Sequence, residues 1–171
     1  RMNEKEIAAA VEKIVRSSLA EPQKEEHVCR CGSHKMTLEK AKKLAEAVRE
    51  RAREMGVKAV VAVADKGGNP VLVESMDDAY LASWDVALQK SYTVVALKMS
   101  TQKLAALAAP GGSLYGIQFT NQGKIVIFGG GEPLEIDGKI VGGLGVSGGS
   151  AEQDTALAAF GRDKFKEISE C

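Results

Sequence analysis

His27, Cys29, Cys31 and His34 form the run H-x-C-x-C-x-x-H, which holds both histidines of the chain and two of its three cysteines. Imidazole and thiolate are ligands for zinc or iron, and imidazole is also an axial donor to haem iron. Four ligands so close together must wrap one ion tightly, whereas structural zinc sites use two separated pairs. The run is also not the C-x-x-C-H attachment sequence of c-type haem. The competing reading is a solvated linker with incidental thiols. Two subunits of an oligomer that pooled two ligands each would relieve the strain.

A second constellation is Gly143-Leu144-Gly145-Val146-Ser147-Gly148, a G-x-G-x-x-G run leading towards Ser150. A dinucleotide site requires a further parallel strand carrying an acid about 20 residues on. The residues after 150 read as helix and do not supply it. The alternative is structural. Gly142, Gly143 and Gly145 would let a helix or backbone approach closely, and Gly148-Gly149 would turn the strand into a helix. Backbone N–H groups near Ser150 remain candidates for a ligand carboxylate. Among single residues, Asp77, Asp78 and Glu152 could act as acid or base, but carboxylates beside helix starts are commonly caps and dipole partners. Lys90, a charge in an apolar helix, reads as a snorkelling surface lysine, with a ligand contact as the alternative. Histidine is absent from 37–168, which argues against Ser-His-Asp and Cys-His catalysis.

Positioning these residues falls to a recognisable set of elements. Ile7, Val11, Ile14, Val15 and Leu19 recur at helical spacing, so residues 2–19 read as a short amphipathic helix, and 20–36 as a linker around Pro22 and Gly32-Ser33. Thr37 is a good N-cap for a helix that buries Leu38, Ala41, Leu44, Ala45, Val48, Ala52 and Met55 and stops at Gly56. Val57 to Ala64 reads as a strand buried on both faces, and Asp65-Lys66-Gly67-Gly68-Asn69 turns it into Val71 to Met76. Helical stretches follow, one opened by Asp77-Asp78 and containing Trp84, Ala87, Leu88, Val95 and Leu97, and one around Leu104 and Leu107. Strands are expected at Ile125 to Phe128, Leu134 to Ile136 and Ile140 to Val146, with Asp137-Gly138 as the tight turn. A last helix starts at Ser150 with Gln153 completing a capping box, and turns Ala156, Leu157, Phe160 and Phe165 inward. The fold class is α+β: one domain over 37–168 with an antiparallel sheet of about five strands and packed helices.

Composition narrows the function classes. At 171 residues and 44% hydrophobic content the chain supports one sizeable core, and 23 basic against 23 acidic residues leave no surplus charge to track phosphates. Nucleic-acid binding is not expected. No apolar stretch is long enough to cross a bilayer and no signal-peptide core is visible, so the expectation is a cytoplasmic protein in a reducing compartment.

In order and spacing, Thr37-Leu38-Glu39-Lys40-Ala41, Val63-Ala64-Asp65-Lys66-Gly67-Gly68, Met76-Asp77-Asp78-Ala79, Pro110 to Gly116, Phe128-Gly129-Gly130-Gly131 and Gly142 to Asp154 resemble the GlcG/HbpS family of haem-degrading domains, and most closely the type found at the C-terminus of PduO. The resemblance covers about 36–168. It implies an antiparallel sheet with packed helices, a homo-oligomer, and haem as cofactor. The adenosyltransferase domain of PduO has no counterpart here, so corrinoid adenosylation is not implied. For haem the first-choice donors are His27 and His34, followed by a thiolate from Cys29 or Cys31 or a softer donor from Met76 or Tyr115, with Lys90 as a further ligand contact. Zinc or iron at the His/Cys run stays open. Residues 2–19 are similar to the encapsulation peptides that carry cargo into bacterial microcompartments, which would place the protein in the lumen with shell or other cargo as partner. Docking of that helix on its own domain or a neighbouring subunit is the alternative, and membrane-surface binding is disfavoured by its mixed polar face. Two function classes follow: a non-catalytic haem or small-ligand binding module, or an enzyme or accessory acting on a corrinoid, haem or small carbonyl metabolite.

Overall fold

The computed structural model describes residues 34–170, and every structural statement below concerns those residues. Four helices and four strands follow in the order α1 (Leu38–Glu54), β1 (Val60–Asp65), β2 (Pro70–Ser75), α2 (Ser83–Leu97), α3 (Thr101–Ala108), β3 (Gly131–Ile136), β4 (Lys139–Ser147) and α4 (Ala151–Glu170), with two 3-10 turns between α3 and β3. The strands form one antiparallel sheet in the order β2-β1-β4-β3. Each hairpin is local, and the β1–β4 ladder joins them.

Local chemistry sets most boundaries. Thr37 Oγ1 accepts the Lys40 N–H at 3.2 Å to start α1, and Gly56 ends it with φ +68°, a conformation that costs other residues energy. Asp65 Oδ1 accepts the N–H groups of Gly67 and Asn69 at 2.8 and 3.0 Å, which folds the β1–β2 turn. At the β3–β4 turn Asp137 and Gly138 both have positive φ, as a two-residue hairpin of matching twist requires. Ser150 and Gln153 cap α4 reciprocally, at 2.9 and 3.2 Å.

Both faces of the sheet are covered within the single chain. On one face the core runs from Ala41, Leu44 and Val48 of α1 through Val61, Val63 and Leu144 to Leu157 and Phe165 of α4. On the other, Val60 and Ala62 meet Ala87 of α2. Here the glycines of β4 act: a Cβ on Gly145 would stand 2.0 Å from the Ala87 carbonyl oxygen, and one on Gly143 would stand 2.3 Å from that of Ser91. The helix lies directly on the strand backbone, which is why this glycine run is a packing surface.

Several expectations need correction. Ile125 to Phe128 is not a strand, so the sheet has four strands rather than five; Val126 N–H donates to Thr93 Oγ1 of α2 instead of to a ladder partner. Asp77-Asp78 forms a turn, with Asp78 at φ +61°, and α2 begins only at Ser83. Leu38, Ala156 and Phe160 are exposed rather than core. The amphipathic helix at 2–19 and most of the linker lie outside the described residues.

Candidate ligand groove at one end of the sheet

The end of α1, the start of β1, the ends of β2 and β4 and the start of α4 converge at one end of the sheet, because antiparallel pairing sets Val60 beside both Ser75 and Ser147. Two clefts of about 470 and 550 Å³ open there. The first is lined by Arg49, Arg53, Met76 and Asp77, the second by Tyr80, Gly149, Ser150 and Gln153. Gly56, Val57, Lys58 and Asp78 line both and form the boundary between them. Each volume falls within the range of about 300–1,000 Å³ common for small-molecule sites.

The groove mixes charge with an apolar wall. Lys58 Nζ donates to Asp78 Oδ2 at 2.8 Å across the shared boundary, and that bond holds the Asp78 carboxyl below its ordinary range. Arg49 Nε lies 2.6 Å from Glu74 Oε2, close enough for an ion pair, although the N–H is not aligned for a hydrogen bond and neither atom has another partner. The Arg53 side chain pairs with none of the described residues. Half-buried Met76 supplies most of the apolar surface, Val57 beside it being almost wholly buried, and Met76 Sδ accepts the Ala59 N–H at 3.4 Å, leaving a sulfur lone pair free. The N–H groups near Ser150 are spoken for: Ser150 N donates to Gln153 and Gly149 N to Asp154 Oδ1.

The residues singled out in the sequence are scattered by the fold. Met76 lies in the groove. His34 lies at the opposite end of the sheet, where its Nδ1 is 3.5 Å from Asp137 in the β3–β4 turn. Tyr115 is exposed in the loop after α3. His27, Cys29 and Cys31 lie outside the described residues, and among the described ones no cluster of three or more His, Cys, Asp or Glu could hold a metal ion. Lys90 is not a snorkelling surface lysine. It is fully buried, donating to the Val146 carbonyl at 2.7 Å and to Asp154 Oδ2 at 2.8 Å, with the Phe128 ring centroid 5.0 Å away. Burial pushes its pKa down and Asp154 works against that shift. Glu152 is an exposed first-turn residue of α4 whose pKa is lowered by hydrogen bonds at the helix start, as expected of a cap partner. Arg53 and Lys58 escaped the sequence reading; the only hint was Arg49 and Arg53 one turn apart just ahead of Gly56.

A family model described as haem degrading protein HbpS-like matches residues 36–163. The chain belongs to the HbpS-like family. Among its relatives, a 15.0 kDa protein from the dhaT-dhaS intergenic region of Citrobacter freundii is 48% identical over 133 residues, covering 78% of this chain and 94% of that protein. The corrinoid adenosyltransferase PduO of Salmonella typhimurium is 44% identical over 122 residues, 68% of this chain but only 36% of PduO. The chain therefore spans about a third of PduO's length. A crystal structure of a PduOC:haem complex superposes with a TM-score of 0.73 at 40% identity, covering 75% of this chain and 94% of that one. As an HbpS-like protein the chain keeps the expected α+β core. Among the described residues no helix is long and apolar enough to cross a membrane.

Proposed function

We propose that this protein is a haem-binding, non-catalytic member of the HbpS-like family and that its haem occupies the groove at the Lys58 end of the sheet. The likeness to a domain solved with haem carries the reading. The residue types fit the group: Met76 offers a thioether donor and, with Val57, an apolar surface, and Arg53 and Lys58 offer cations for the propionates. Bound haem would supply an iron centre, and the chain's own residues would orient it and shield one face from water. His27 and His34 are the competing axial donors, with Cys29, Cys31 and Tyr115 behind them. His34 lies a strand's length from the groove in its own chain, which favours Met76.

The test is the Soret spectrum of purified full-length protein titrated with haem. Met76→Ala is expected to shift or abolish the band, while the double variant His27→Ala/His34→Ala leaves it unchanged. The reverse pattern would move ligation to the linker. Loss of haem absorbance with time, when a reductant is added, would replace binding by degradation.

The same reading extends to assembly and location. Since helices already cover both sheet faces, self-association must use another surface, and Tyr80, Leu81 and Trp84 ahead of and at the start of α2 provide one, with Leu81 95% exposed. A homo-oligomer built on them predicts that Leu81→Asp/Trp84→Asp lowers the mass measured by light scattering towards 18.1 kDa. Residues 2–19, fused to a fluorescent protein, are expected to direct it into a bacterial microcompartment.

A further inference from the structure

The cations of the groove are not equivalent. Arg49 is engaged by Glu74 and Lys58 by Asp78, whereas Arg53 has no partner among the described residues. The Lys58–Asp78 pair stands on the boundary common to both clefts. Both of its side chains are well exposed, so water screens the attraction and the pair exchanges partners at little cost. Asp78 reaches Lys58 from a left-handed backbone conformation that an aspartate adopts only with local support.

We propose that the groove recognises its ligand by a carboxylate edge, with Arg53 receiving one carboxylate and Lys58, released from Asp78, receiving a second, so that the two clefts merge into one slot. This rests on the haem reading and adds the rule of selection within that site. The ligand class is a flat apolar body bearing two carboxylates on one side. The apolar wall of Val57 and Met76 takes the body of the ligand. Inorganic phosphate carries a comparable charge but has no apolar body to bury and cannot span Arg53 and Lys58 with two separate carboxylates, so it gains little in the groove. Asp78 acts as an internal competitor that the ligand must displace.

Equilibrium titrations of the full chain with haem, with metal-free protoporphyrin IX and with the dimethyl ester of that porphyrin separate the parts of this proposal. The dimethyl ester lacks both carboxylates, so the free acid is expected to bind roughly a hundredfold more tightly, the value of two charge-assisted hydrogen bonds. Arg53→Gln and Lys58→Gln each weaken the free acid by about tenfold and leave the ester unchanged. Asp78→Asn tightens the free acid, because Lys58 no longer has to be won from it. Thermal melts of the variants check that the fold is intact, and inorganic phosphate is expected not to compete. If haem binds the wild type while acid and ester bind alike and Arg53→Gln has no effect, the carboxylate anchor is overturned and the haem reading stands. If neither haem nor porphyrin binds, both fall together.

Discussion

Two lysine–aspartate pairs of this protein share a length of 2.8 Å and little else. Lys90 and Asp154 are 0% and 5% exposed and tie α2, β4 and α4 together; Lys58 and Asp78 are 57% and 78% exposed and straddle a groove. Distance therefore says almost nothing about what a pair does. In the interior, each charge has been stripped of water and depends on its partner, with Lys90 also donating to the Val146 carbonyl and Asp154 also accepting the Gly149 N–H. At the groove, water can replace either partner, which makes the pair suited to exchange for a ligand.

The sharpest way to break the contrast is to remove one lysine at a time. Lys90→Met leaves the Asp154 carboxylate buried without its counter-charge and is expected to cost about 3–5 kcal/mol in chemical denaturation. Lys58→Met, by contrast, is expected to leave the denaturation midpoint where it was. Equal losses from the two substitutions would refute the distinction.

A milder effect is expected when both members of the buried pair go. Lys90→Met/Asp154→Leu restores apolar packing and recovers most of the loss, since a buried ion pair is often replaceable by well-packed hydrophobic residues. It stays about 1 kcal/mol short of wild type, because the Gly149 N–H loses Asp154 Oδ1. A double variant as unstable as the single one would mean that the pair's shape matters more than its charge.

The pH dependence sharpens the comparison further. Burial lowers the Lys90 pKa below 10.5 in the folded protein, so in the window between that lowered value and 10.5 the unfolded chain holds more protons. Stability therefore rises with pH across that window, and Lys90→Met removes the slope. Glu132 gives the smallest effect and the opposite sign. Burial raises its pKa above 4.5 despite Arg162 at 3.2 Å, so the folded state holds the extra proton and stability falls as pH rises from 4.5 through the raised value. Glu132→Gln should flatten that limb of a urea-midpoint profile.

What the sequence revealed follows the range of the interactions involved. Thr37 with Lys40, Asp65 with Gly67 and Asn69, Asp137-Gly138 and Ser150 with Gln153 are contacts within a few residues, and each was legible. The glycines of β4 were legible as a close-approach surface, because several glycines in one strand have few other uses. Lys90 was misread because its partner is 64 positions away. Ile125 to Phe128 has the composition of a strand, but a ladder partner is a property of the fold and none is available to it. The groove was the least visible feature: Arg53, Lys58 and Met76 meet where α1 joins the β1–β2 hairpin, and Ser150 and Gln153 complete the second cleft only when both hairpins share one sheet.

That sharing also sets a timetable. Val60 pairs with Ser147, so the first hairpin leaves the ribosome with one long edge bare and must wait for roughly 70 more residues before β4 is complete. At ordinary synthesis rates the wait is about 4–14 seconds. During it the apolar row Val60-Val61-Ala62-Val63-Ala64 is a ready template for pairing with another nascent chain. Slowed translation between β2 and β4 should therefore lower the yield of folded protein more than the same delay placed after Ser147.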